Sequence, residues 1–174
     1  MAIVRGLAAL VIAAGVLGGA VPAQAHDHVQ GSLTIVHPWS RATAPSQKAG
    51  GVFLVIQNAG DRPDRLIGIE SDMADIASLH ASIRDGDVVK MRPVKGGIEV
   101  PAKGEVALAP GGKHVMLIGL REQLIKESTF PLTLIFERAG PIEVVAVVES
   151  AGARRPAAGD PEHDHDAATA RSGK

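Results

Sequence analysis

Residues 130–149 read FPLTLIFERAGPIEVVAVVE. Two apolar runs, Phe130–Glu137 and Ile142–Glu149, flank a short break that contains Gly140-Pro141. Short runs of Val, Ile, Leu and Phe on either side of turn residues predict two strands and a hairpin between them. The same grammar continues upstream. Candidate strands fall at Ser32–His37, Gly51–Gln57, Arg65–Glu70, Ile76–Ser82, Val88–Arg92, Gly97–Val100, Glu105–Ala109 and His114–Leu120. Asn58-Ala59-Gly60-Asp61, Asp85-Gly86-Asp87 and Pro110-Gly111-Gly112 punctuate them. Strands at this spacing predict an all-β sandwich or barrel. Glu122–Glu127 alone has helical flavour, and it is too short to change the class.

The ends differ from this middle. Residues 1–25 hold one cation (Arg5), an apolar run from Leu7 to Val16 and Ala23-Gln24-Ala25, the layout of a signal peptide cleaved before His26. An uncleaved anchor is the alternative, but Gly15, Gly18, Gly19 and Pro22 interrupt the ~20 apolar residues that a span needs. Export to the periplasm is therefore expected, without lipid anchoring at this end because no cysteine is available. From Ala151 to Lys174 the apolar residues other than Ala vanish, and a disordered tail is expected there. One domain over residues 26–150 remains.

Composition narrows the chemistry. The full chain has 18 Lys+Arg and 19 Asp+Glu, and the leader removes only Arg5, so the mature balance of −2 gives no footprint for nucleic acid or membrane. There is no cysteine, which excludes disulfides, blue-copper centres, iron–sulfur clusters and thiolate zinc. Any metal must be held by His, Met, carboxylate or backbone. No Gly-rich phosphate loop, His-Glu-x-x-His motif or recognisable nucleophile triad occurs, so an enzyme is not expected.

Four residues stand out: His80, Met91, His114 and Met116. On a strand, His114 and Met116 share one face while Val115 and Leu117 take the other, the core side. A thioether beside an imidazole on the non-core face makes sense as a soft-metal chelate, and this ligand set suits Cu(I). By spacing alone both readings stay open, since a strand Met is commonly core filler and a lone His a hydrogen-bonded surface residue.

The stretch from Ile35 to Glu149 resembles the periplasmic copper chaperone family PCuA(C). The resemblance rests on Pro38-Trp39-Ser40-Arg41-Ala42-Thr43, Ile56-Gln57-Asn58, Asp64-Arg65-Leu66-Ile67-Gly68 and the run Pro110–Leu117. The family's metal motif is His, ten residues, Met, about twenty-one residues, His, one residue, Met. Here ten residues separate His80 from Met91, twenty-two separate Met91 from His114, and Val115 separates His114 from Met116. The excess falls in a span containing Lys95-Gly96-Gly97, where a loop absorbs it. The resemblance implies a cupredoxin-like, immunoglobulin-like Greek-key β-sandwich and a Cu(I) site near the surface. It further implies delivery to a cytochrome oxidase copper subunit, beside a thioredoxin-like copper assembly protein. A monomer is expected.

The terminal histidines suggest a second, Cu(II) function. A chain starting His26-Asp27-His28 could wrap square-planar Cu(II), and His163 and His165 lie in a short His-Asp tract suited to Cu(II) or Zn(II). A periplasmic Cu(II)/Zn(II) buffer is thus the alternative to a chaperone, and a scaffold sandwich without metal is the third class. Among other residues, Trp39 is expected to plug the sandwich or shield copper, Arg41 to bond loop carbonyls, His37 to be structural, and Met73 to be at most a spare ligand.

Overall fold

The computed structural model describes residues 27–86 and 88–155; the expected leader and the tail beyond Arg155 lie outside them. The described residues form eleven strands and no helix. They are β1 (His28–Gln30), β2 (Leu33–Arg41), β3 (Ala49–Asn58), β4 (Asp64–Glu70), β5 (Ala74–Asp85), β6 (Val88–Pro93), β7 (Ile98–Val100), β8 (Gly104–Leu108), β9 (Lys113–Leu120), β10 (Thr129–Phe136) and β11 (Gly140–Glu149). All ten strands read from the sequence are present, with ends displaced by a few residues. Strand β1 is additional, paired antiparallel on β2. The Glu122–Glu127 segment is irregular: Leu124 is buried in the core, and its N–H donates to the Thr43 hydroxyl at 3.0 Å.

The hairpin of β10 and β11 pairs Phe136 with Gly140 and runs back to Thr129 opposite Val147. Its inward set is Phe130, Leu132, Leu134 and Phe136 against Ile142, Val144, Ala146 and Val148, all buried in one core cluster. That strict period of two is what buries one face of each strand. Each large side chain so buried contributes roughly 1.5–3 kcal/mol.

The strands follow the hydrogen-bonded order β6-β5-β9-β3-β2-β11-β10-β4-β7, with β8 joined to β3. Strand β3 pairs with β9 along Ala49–Val52 and with β8 along Leu54–Asn58. Strand β2 carries the path onward through a short parallel pairing of Trp39–Arg41 with Val147–Glu149. The β5–β9–β3 and β4–β10–β11 strands thereby enclose a single core drawn from nearly every strand. This is the all-β, cupredoxin-like sandwich expected.

One irregularity in β2 matters for the site. Val36 pairs with Val55, but Trp39 pairs with Phe53, so one extra residue lies between them on β2. His37 absorbs it with φ 45°, a left-handed conformation just before Pro38. Such a bulge shifts the side-chain alternation by one. By unbroken alternation Trp39 would follow Leu33 and Ile35 into the core. It instead joins Phe53 on the opposite face. The structural role expected of His37 is this bulge, and the expectation that Trp39 plugs the sandwich is replaced by a place on the outer face.

Asp64 ties the far end together. Its Oδ1 accepts from the Arg65 and Arg138 N–H groups at 2.7 and 3.0 Å, and Oδ2 accepts from Ala139 N–H at 3.0 Å. The carboxylate thus holds the β10–β11 turn against the start of β4. Asp64→Ala leaves three backbone donors without their acceptor and is expected to cost about 3 kcal/mol. Urea unfolding would measure this, with metal binding unchanged because β4 and β10 lie toward the opposite end of the strand order from β6, β5 and β9.

Candidate metal site

The site is built by register. Strands β5 and β9 pair His80 directly opposite His114 and Ser78 opposite Met116. Strands β5 and β6 pair Ser82 opposite Met91 and His80 opposite Pro93. Directly opposed residues share a face, as do residues two apart on one strand. His80, Met91, His114 and Met116 therefore all project from the same, outer face of the β6–β5–β9 sheet. Val115 and Leu117 project the other way and are fully buried in the core. The structure puts the four residues singled out from the sequence on one face: Met91, His114 and Met116 line a common cleft, and His80 stands beside His114 outside that lining.

The two imidazoles lie with ring centroids 6.2 Å apart. His114 is only 4 % exposed, and its Nδ1 lies 3.0 Å from the Gly112 carbonyl. A carbonyl can only accept, so Nδ1 is the donor, and in the neutral ring the lone pair then lies on Nε2. A metal-ligating histidine needs this kind of orientation. His80 is different. Its Nδ1 is buried and has no hydrogen-bond partner, the one such side-chain nitrogen or oxygen among the described residues. A buried polar atom without a partner costs free energy unless something occupies it.

The thioethers frame the pair asymmetrically. Met116 is half-buried on β9, while Met91 is 58 % exposed on β6, the outermost strand at that end of the sheet. Both line a cleft of about 280 Å³ together with Arg41, Phe53 and His114. The sequence reading did not single out Phe53. Its ring packs on Trp39 with centroids 4.7 Å apart and neighbours His114 at 6.3 Å. Gly51, opposite Met116, leaves room for it: a Cβ there would stand 3.1 Å from Phe53 Cζ. Trp39, Phe53 and His114 thus form a small buried layer on the outer face, apart from the main core. An aromatic out of phase with its core-facing neighbours Val52 and Leu54 was the available signal.

Arg41 does bond a carbonyl as expected, its Nε donating to Ala153 O at 2.7 Å. Its guanidinium carbon lies 5.7 Å from the Phe53 ring centroid. The contact fixes residues beyond the expected domain end at Ser150. Met73 packs against the core, away from the cleft. Between β6 and β7, Gly96 and Gly97 take φ of 79° and 80°, a turn only glycine makes easily, in the span that carries the motif's additional residue. Among the described residues no three His, Asp or Glu side chains gather to hold a metal ion.

Of the terminal histidines, His26, His163 and His165 lie outside the described residues. His28 is on β1, where its Nε2 accepts from the Val145 N–H at 3.2 Å. That ring is engaged with β11 rather than turned toward the cleft.

A cysteine-free cupredoxin-like sandwich with two imidazoles and two thioethers on one outer face is the class that these features define. The chain belongs to the family described as "Putative lipoprotein LpqE-like", which it matches over residues 33–148. The "Putative lipoprotein Lxx21020" of Leifsonia xyli subsp. xyli is 29 % identical over 128 residues, 74 % of each chain. Among solved structures, the copper-bound PCuAC domain from PmoF2 superposes with a TM-score of 0.62 and 31 % identity. That match covers 72 % of this chain and 98 % of the domain. The Cu(I)-bound solution structure of DR1885 from Deinococcus radiodurans matches with a TM-score of 0.55 and 26 % identity, over 74 % of this chain and 82 % of that one. The resemblance to PCuA(C) domains holds in fold and sequence alike.

Burial, and secondarily the charge of neighbouring His114, hold the His80 imidazole below its ordinary pKa of 6.5. Above that value folded and unfolded chains both carry it neutral, and stability is unaffected. As pH falls below it, the unfolded chain takes a proton that the folded chain refuses until its own lower value is passed, so stability drops. In metal-free protein, the urea midpoint is expected to fall between about pH 7 and about pH 5. His80→Gln should flatten that fall. An equally steep fall in the variant would assign the pH response to another group.

Proposed function

We propose that this chain is an exported, non-enzymatic copper metallochaperone. It holds Cu(I) in the periplasm through His80, Met91, His114 and Met116 and hands it to cytochrome oxidase assembly, to the oxidase copper subunit or a thioredoxin-like copper assembly protein. The observation that carries this reading is the buried, unpartnered Nδ1 of His80, opposed to His114 on a face that also presents two thioethers. Neutral sulfur and nitrogen donors favour a soft monovalent ion over hard divalent ones. The relatives solved with copper and with Cu(I) support the choice of metal.

The arrangement also suits transfer. His114 is fixed and buried, so it serves as the anchoring ligand. Met91 is exposed on an outermost strand, so its thioether is the first to be displaced when an acceptor's ligand approaches. Hand-over would exchange the metal–sulfur bond for a bond to the acceptor's ligand and leave the protein's own covalent bonds intact, which is why catalysis is not part of the reading.

Anaerobic Cu(I) titration against a chromogenic chelator tests it. The wild-type chain is expected to bind one tight equivalent. Met91→Leu/Met116→Leu should weaken it by more than the roughly 10–100-fold that an outer-shell change costs. A variant ending at Arg155 should keep the site, because the contact from Ala153 to Arg41 is retained. If that variant loses most of its capacity, the Cu(II)/Zn(II) buffering reading through His26, His28, His163 and His165 takes over. Indifference to the methionine changes would leave a scaffold.

A further inference from the structure

We propose that Arg41 is a specificity-determining residue of this site: its fixed positive charge, set in the wall of the cleft, discriminates against divalent ions and keeps the bound ion releasable. The inference rests on the copper reading above and names how the same site separates Cu(I) from Cu(II) and Zn(II).

Three observations place the charge. Arg41 lines the same cleft as Met91, His114 and Met116. Its Nε is tied to the Ala153 carbonyl at 2.7 Å, so the side chain is held rather than free to swing into solvent. Its guanidinium carbon sits 5.7 Å from the Phe53 ring centroid, and that ring is the neighbour of His114. No carboxylate is among the residues that line the cleft, which besides those named are Thr43, Gln47, Ser82, Ala49, Pro110 and glycines; Glu149, opposite Arg41 on β11, stands outside that lining. A guanidinium does not lose its proton in any working range, so the field is permanent.

The consequence is arithmetic. All four proposed ligands are neutral, so the ion keeps its full charge in the site. A fixed cation repels a monovalent ion once and a divalent ion twice. Donor softness already favours Cu(I), and Arg41 adds a charge filter that softness cannot supply, because divalent Cu(II), of borderline softness, also accepts imidazole. The same repulsion, at half strength, loosens Cu(I) itself, which eases hand-over to an acceptor.

The test uses the full-length chain with Arg41→Gln and Arg41→Lys, titrated separately with Cu(I) under reductant and with Cu(II) and Zn(II). All variants keep the same termini, so differences between them report on the cleft. In Arg41→Gln, Cu(I) affinity should rise about threefold and Cu(II) affinity about tenfold, the square of the first change. The potential of the bound copper should then fall by about 30 mV, since tenfold is about 59 mV for one electron. Arg41→Lys should stay near wild type, and added salt should narrow the gap between Gln and wild type. Equal shifts for Cu(I) and Cu(II), no shift in either, or a Lys variant that behaves as Gln would overturn the charge filter while leaving the copper site standing. Absence of a tight Cu(I) equivalent in the wild-type chain would instead remove the site reading, and this inference with it.

Discussion

The register of β9 is the constraint on which the rest depends. Lys113–Leu120 is one strand with two assignments, Val115 and Leu117 to the core and His114 and Met116 to the outer face. Because the alternation has a period of two, a slip of one residue would exchange these sets, burying an imidazole and a thioether in the core and exposing two aliphatic side chains. Fully burying Val115 and Leu117 is worth roughly 1.5–3 kcal/mol each, so the slip is strongly opposed. The core therefore positions the site without touching it. Pairing with β5 on one side and β3 on the other then decides what stands beside His114: His80 across one ladder and the Phe53 ring across the other.

That arrangement carries a cost in the metal-free protein. The Nδ1 of His80 gives up water without gaining a partner. Burial and the nearby His114 then resist protonation, which would otherwise restore polar contacts. Natural folds keep such unsatisfied groups where function requires them. Elsewhere the buried polar groups are well served: Asn58 closes its turn through Arg62 and Gly60, Ser40 donates to the Gly51 carbonyl at 2.8 Å, and Asp64 collects three N–H groups. The contrast between a satisfied scaffold and one unsatisfied imidazole separates site from framework.

Much of this was legible in the chain, because strands and turns obey local rules. FPLTLIF and IEVVAVV around Gly140-Pro141 announce a hairpin whatever surrounds them. The four candidate ligands were legible for a different reason, scarcity: two of the three methionines and two of the three histidines between the termini fall into one spaced set. What escaped depends on tertiary pairing. The left-handed conformation of His37 cannot be read from His-Pro, yet it sends Trp39 to the outer face. Phe53 looks like a core residue until its alternation with Val52 and Leu54 is set against β9. The hold of Ala153 on Arg41 joins residues 112 positions apart, which no local pattern encodes. Strand β1 escaped because three residues, two of them polar, give too little periodicity.

The unequal burial of the four donors gives the site a direction. His114 is nearly inaccessible and braced through Gly112, whereas Met91 stands on a strand with none beyond it in the sheet among the described residues. A ligand that must let go belongs on such a strand, since its backbone can shift without disturbing the core; all six residues of β6 are exposed. A ligand that must hold belongs beside Val115. An ion bound between them would be kept from behind and approached from the front. The cation of Arg41 in the same wall would lower the depth of the well for any ion within it. A deep, fully enclosed cage of four buried donors would bind copper more tightly and release it more slowly. On the proposed copper reading, strand position, more than donor identity, would suit this face to carrying a metal rather than keeping one.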